Sequence, residues 1–289
     1  MTHRSSLLNE SGLNPSVFTS DSDFFIKAGY TSNFVSQYFD DSIVGIVHQP
    51  DVYAIAAYLG RQFDCKYIVD IGCGRATKVS SLHPEFEIIG LDFGPNIVYC
   101  QQKYGFGQWI ECDFEREENF YLKPDILNQS ILVCADLVEH LSDPTLLLNN
   151  FHRWLDFAPA GLLSTPDRDL VRGERDFGPP QNPYHIREWN LGEVCDLLRA
   201  HALKIAFAGF TLNNDQAREK KTSLIILNNN RVASPQFAPQ GFRVVAIMHA
   251  YNEEDIVIPV LKHLIDQGIE IYFVDNWSTD KTYELAQLF

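Results

Sequence analysis

The sequence predicts a doubly wound α/β fold, a mainly parallel sheet with helices on both faces, and three observations carry that expectation. Short apolar runs alternate with helix-patterned stretches along residues 46–230, the alternation that crossover connections between parallel strands produce. The first run ends in Val69-Asp70-Ile71-Gly72-Cys73-Gly74, and glycines at a strand-to-helix turn let the backbone approach a ligand closely. Acidic residues then recur where successive strands end, at Asp70, Asp92, Asp113 and Asp136.

The elements follow in order. A helix runs from Asp51 to Phe63, where Val52, Ile55, Ala56, Leu59 and Phe63 repeat at helical spacing behind Pro50. Seven strands are expected at Tyr67–Ile71, Glu87–Leu91, Gln108–Glu111, Ile131–Ala135, Gly161–Ser164, Leu203–Ala208 and Ser223–Leu227. Helices are expected near Lys78–Leu82, Asn96–Tyr104, Thr145–Asp156 and Leu191–Ala200. Residues 1–45 are polar and aromatic, with Phe24-Phe25-Ile26 and Phe34 to Phe39 patterned more like short helices than strands, and read as a lid. Residues 231–241, with Ser234-Pro235-Gln236 and Pro239-Gln240-Gly241, read as a linker. Residues 242–289 then form a short appendage of β-α-β-α pattern: strands Val244–Met248 and Ile269–Val274, helices Glu253–Gln267 and Thr279–Leu288.

Bulk properties narrow the function. A chain of 289 residues has room for one full domain and part of a second. No run of about 18 apolar residues is present, and the first ten residues lack the apolar core of about 7 to 15 that a secretory signal needs. The expected location is the cytoplasm. The six cysteines are scattered without a Cys-x-x-Cys pair, so buried, reduced thiols are expected and no metal site. A formal charge of -15 with no basic stripe argues against a nucleic-acid partner. Homo-oligomerisation stays open.

A dinucleotide fingerprint would place a third glycine where Thr77 stands, and an apolar residue where Asp70 stands. The run instead resembles the first motif of the class I S-adenosylmethionine-dependent methyltransferases, an acidic residue followed by Gly-x-Gly-x-Gly, here Asp70, Gly72 and Gly74 with Ala76 in the last glycine's place. The resemblance implies a Rossmann-like seven-stranded sheet, S-adenosylmethionine as cofactor, and a binding site of Asp70, Gly72, Cys73, Gly74, Asp92, Phe93, Asp113, Phe114 and Asp136. In it Asp92 accepts from the ribose hydroxyls, Asp113 accepts from the adenine amine, and Phe114 packs on the ring. The run Val133 to Leu141 is similar to the Glu-His-Leu segment of many small-molecule methyltransferases.

Methyl transfer from a sulfonium is an in-line displacement, so the protein must align the acceptor and, for a hydroxyl, take up a proton. His185, His140 and Asp136 are the candidate bases, with His185 favoured. The Gly/Pro-punctuated stretch from Ser164 to Trp189 is placed as a substrate loop, in which Arg168, Tyr184 and Arg187 would bind the acceptor. The plainer alternative is a loop that only caps the pocket, with Arg187 paired to Glu188 or Asp167.

The tail, with Tyr251-Asn252-Glu253-Glu254 after one strand and Asp275-Asn276-Trp277-Ser278-Thr279-Asp280 after the next, resembles the opening of a family 2-type glycosyltransferase. That resemblance implies a carbohydrate or other small-molecule hydroxyl as acceptor. An NAD-dependent oxidoreductase and a catalytically silent cofactor-binding module serving a glycosyltransferase are the competing readings.

Overall fold

The computed structural model describes residues 24–33, 50–116, 120–212, 219–231, 244–266 and 269–289. Most of the expected lid (1–45) and linker (231–241) lies outside them. The chain divides into two compact units, Met1–Pro235 and Gln236–Phe289.

The first unit is built on seven strands: β1 (Tyr67–Ile71), β2 (Glu87–Asp92), β3 (Gln108–Glu111), β4 (Ser130–Ala135), β5 (Ala160–Pro166), β6 (Ile205–Thr211) and β7 (Thr222–Asn228). Their order across the sheet is β3-β2-β1-β4-β5-β7-β6. All run parallel except β7, which is antiparallel to both β5 and β6. Strands β1, β2, β4 and β5 are almost continuously buried, which is why they read as unbroken apolar runs. The helices are α1 (Pro50–Gln62), α2 (Gly94–Lys103), α3 (Pro124–Leu127), α4 (Thr145–Trp154), α5 (Arg168–Arg172) and α6 (Leu191–Ala200). One core joins Ile71, Leu91, Leu132 and Leu163 of the sheet to Leu148, Phe151 and Trp154 of α4 and Leu197 and Leu198 of α6.

The strand order reverses between parallel neighbours β1 and β4, and the carboxyl ends of strands at such a reversal are where sheets of this kind bind ligands. The expected helix at Lys78–Leu82 is a single 3-10 turn, Val79–Leu82. Phe24 and Phe25 do not start a helix: both lie at positive φ, +47° and +63°, in a turn.

The second unit holds β8 (Val245–Ala250) and β9 (Glu270–Asp275) as a parallel pair, with α7 (Val257–Asp266) and α8 (Thr282–Ala286). Both helices are shorter than their sequence pattern suggests because the residues before them bond across to the other loop. Asn252 N donates to Ser278 Oγ (3.0 Å), Thr279 N to Asn252 Oδ1 (2.8 Å), and Lys281 N to Glu254 Oε2 (3.1 Å). Side chains at alternate positions of this sheet are exposed, among them Val245, Ile247, Tyr272 and Val274. No helix among the described residues is long and apolar enough to cross a membrane.

Candidate cofactor and acceptor site

The turn after β1 is fixed by backbone bonds to the end of β2. Gly72 N and Cys73 N both donate to Leu91 O, at 2.8 and 3.1 Å. Gly72 has φ +73°, and a Cβ there would sit 2.8 Å from the Leu137 side chain, so the position requires glycine. Gly74 N donates to Asp92 Oδ2 and Phe93 N to Asp92 Oδ1, both at 2.7 Å. One carboxylate thus ties the glycine turn to the start of α2. Ala76, in place of the family's last glycine, keeps the glycine-like backbone with φ +55°, at a steric cost of about 1 kcal/mol. Cys73 and Cys100 are buried, with both thiols directed at Gly74 O, at 3.5 and 3.3 Å.

Asp70 is 1% exposed, and Tyr53 of α1 donates its hydroxyl to Oδ2 at 3.2 Å. Burial pushes the Asp70 carboxyl up to about 7, with the Asp92 charge adding to the rise and Lys78 and Tyr53 opposing it. After β3, Asp113 Oδ1 accepts from Glu115 N (3.0 Å) and Oδ2 lies 3.4 Å from Arg116 Nε, while Phe114 is buried in the core. After β4 the chain turns at Asp136 (φ +52°), whose N donates to Ser164 O (2.9 Å) and whose Oδ1 accepts from Ser164 Oγ (3.2 Å).

A 3-10 turn, Val138–His140, brings Glu139 and His140 beneath the insertion that follows β5. His140 donates from Nδ1 to Tyr184 O (3.0 Å); burial first, and then the neighbouring His185, push its pKa down to about 3, so the ring is neutral. The rings of His140 and His185 meet edge to face with centroids 4.8 Å apart. His185 Nδ1 donates to Glu188 Oε1 (2.6 Å), and its Nε2 accepts from Asn182 Nδ2 (2.9 Å). Glu188 also pairs with Arg172 at 3.1 Å. Glu139 is fully buried; Thr165 Oγ1 donates to its Oε2 at 2.9 Å, and burial reinforced by Asp136 holds its carboxyl well above the usual range.

The structure therefore brings Asp136, His140, Tyr184 and His185 into one region and engages the two expected substrate arginines within the fold. Arg168 is fully buried, with its guanidinium bidentate to Glu193 (2.6 and 3.0 Å) and its Nε on Asp169 (2.9 Å). Arg187 donates to Leu141 O (3.1 Å) and Ser142 O (2.8 Å) and stacks on Phe24, pairing with neither Glu188 nor Asp167. Both arginines hold the insertion to the fold, because a buried guanidinium must spend its donors inside. Tyr184 is half-buried beside His140.

Residues 24–33 are stitched to the same insertion. Thr31 N donates to Phe177 O and Asn33 N to Ile186 O, both at 2.8 Å, and Trp189 Nε1 donates to Phe24 O at 2.9 Å. Gly178 (φ +72°) lies so close that a Cβ would fall 2.2 Å from Thr31 O.

Sequence reasoning missed Tyr53, Glu139, Ser164, Thr165, Asn182 and Glu188. Glu139 had a signal, since it stands in the Glu-His-Leu run. Tyr53 had only its place on the helix that precedes β1.

In the second unit, Asp275 at the end of β9 accepts through Oδ2 from Ser278 N (3.0 Å).

Comparison with known proteins divides along the same line. Residues 245–289 match the model of Glycosyl transferase family 2. The ubiquinone biosynthesis O-methyltransferase of Coxiella burnetii is 22% identical over 43% of this chain, which spans 61% of that relative's length. A protein of Mycolicibacterium smegmatis named "Probable S-adenosylmethionine-dependent methyltransferase" is 23% identical over 71% of this chain and 79% of its own. A solved S-adenosylmethionine-dependent methyltransferase of Aquifex aeolicus shares 14% identity over 67% of this chain and 100% of that one, with a TM-score of 0.47. The chain is thus similar to S-adenosylmethionine-dependent methyltransferases, and over its last residues to family 2 glycosyltransferases.

Proposed function

We propose that residues 46–230 carry an S-adenosylmethionine-dependent methyltransferase acting on a hydroxyl of a sugar, glycan or other small molecule. The observation that carries it is the glycine turn after β1, with Gly72 and Gly74 at φ +73° and +54°, set beside a buried carboxyl, Asp70, that accepts from the neutral Tyr53 hydroxyl. The cofactor supplies a methyl group on a sulfonium. Asp70 would face its cationic end, and Gly72 and Gly74 would lie along it with no side chain in the way. Asp92 would exchange some of its bonds to Gly74 N and Phe93 N for ribose hydroxyls. Asp113 and Phe114 are assigned to the adenine. On the acceptor side His140, His185 and Asp136 would orient the hydroxyl and receive its proton, with Glu188 fixing the tautomer of His185.

Oxygen as the acceptor atom draws support from the name of the Coxiella relative. The match of residues 245–289 favours a carbohydrate acceptor, and a cytoplasmic location suits the six free cysteines. Calorimetric titration with S-adenosylmethionine, S-adenosylhomocysteine and NAD tests the cofactor. Binding of the first two and not of NAD is expected, and the reverse would replace this reading with an oxidoreductase. Incubation with candidate sugars, read by mass spectrometry, should show the gain of one methylene. Cofactor binding with every acceptor left unmodified would favour the silent module.

A further inference from the structure

We propose that Glu139, His140 and His185 form a binding site for one divalent transition-metal ion on the acceptor side of the cleft. One ligand atom from each of the three lies within 4.8 Å of the others. Two imidazoles and a carboxylate are donors suited to zinc, manganese, cobalt or iron(II). Ligands about 2.1 Å from such an ion stand about 3.4 Å apart, so small side-chain rotations would close the set around it.

Two features go beyond proximity. Glu139 is fully buried, its Oε2 is taken by Thr165, and its Oε1 has no hydrogen-bond partner among the described residues. A buried carboxyl oxygen left in this way is costly unless a donor or a cation meets it. Each histidine is also oriented as metal ligands usually are, with Nδ1–H donated to a carboxylate or backbone carbonyl: His185 to Glu188, His140 to Tyr184. That fixes Nε2 as the lone-pair nitrogen on both rings. In the metal-free protein Asn182 donates to Nε2 of His185, and an ion would take that amide's place.

The consequence deepens the proposed activity and rests on that reading. An ion here could bind the acceptor oxygen and lower its pKa, so that His185 would serve as a ligand rather than as the proton acceptor. The acceptor class narrows to molecules whose hydroxyl can reach a metal.

Chelator-stripped full-length protein should be titrated with Co²⁺, Mn²⁺ and Zn²⁺, using Co²⁺ absorption and Mn²⁺ electron paramagnetic resonance as readouts, without cofactor. One ion per chain is expected. His140→Ala, His185→Ala and Glu139→Gln should each weaken binding by at least about 100-fold, and Glu188→Gln, whose carboxylate is bonded to His185 alone among the three ligands, by about 10- to 100-fold. Asn182→Ala removes a competitor and should bind as tightly as the parent or more so. S-adenosylhomocysteine affinity, measured in parallel, should hold within about twofold for His185→Ala and Asn182→Ala, which reports that the fold is intact. The absence of stoichiometric binding for all three ions would overturn the site, as would binding indifferent to His185→Ala in a variant that still binds S-adenosylhomocysteine. Failure of cofactor binding alongside intact metal binding would instead overturn the methyltransferase reading.

Discussion

The two sides of the proposed site, one assigned to the cofactor and one to the acceptor, are built from different materials. The cofactor side is short in sequence and made of backbone: Gly72, Cys73, Gly74 and Phe93 donate their N–H groups to Leu91 O and to the Asp92 carboxylate. The acceptor side is assembled from distant segments and made of side chains, in which Arg168, Arg172, Arg187, Glu188 and Glu193 are all engaged. Backbone at a strand end is positioned by the sheet itself. The charged network needs every partner present, because removing one leaves another buried and uncompensated.

The largest effect should therefore come from the acceptor side. Arg168→Met strands Glu193 and Asp169, and should lower stability by about 3–5 kcal/mol, measured as a fall in the urea midpoint.

Asp70→Asn should do the opposite. The Asp70 carboxyl, at about 7 in the fold against roughly 3.9 unfolded, favours the folded state only while protonated. Its contribution is complete below about pH 4 and is lost as pH rises towards 7, a swing on the order of 4 kcal/mol. The variant should accordingly melt higher than the parent at pH 7, by a margin that shrinks towards pH 5, and bind cofactor more weakly. In the parent, cofactor affinity should strengthen from pH 6 to pH 8 as Asp70 ionises. A flat calorimetric profile there would detach Asp70 from the cofactor's charge.

Asp92→Ala removes an acceptor shared by two backbone N–H groups. It should cost about 1.5–3 kcal/mol in chemical denaturation as well as weakening cofactor binding. The smallest change is Ala76→Gly, which relieves a left-handed alanine; relief of about 1 kcal/mol, offset in part by the entropy of the added glycine, should leave a slight rise in melting temperature.

The same contrast explains what the sequence could tell. Strands β1 to β4 fall within a residue of their expected bounds, because buried parallel strands are unbroken apolar runs ending in polar turns. The reversal of β7 left no local mark, since hydrophobic pattern records burial and not direction. Asp70, Asp92 and the glycines stand in short runs whose order is itself the signal. Arg168 looks, in sequence, like any loop arginine, and only contact with Glu193, far along the chain, shows that its charge is consumed. The appendage helices were overextended because Glu253, Glu254 and Thr279 suit a helix locally yet bond across two loops.

The insertion after β5 is locked at both ends. Asp167 caps α5 through Leu170 N (3.0 Å) and accepts from Leu191 N at the start of α6 (2.7 Å), and Arg187 pins the far end to Leu141 and Ser142. Between these anchors, Gly173 to Glu174 and Phe177 are exposed. Such an arrangement decouples innovation from foldedness. Substitutions of the Glu174 and Arg175 side chains can be sampled by evolution, or by a library, without first unfolding the scaffold, so under the proposed function those two positions are where new acceptor preferences should be sought.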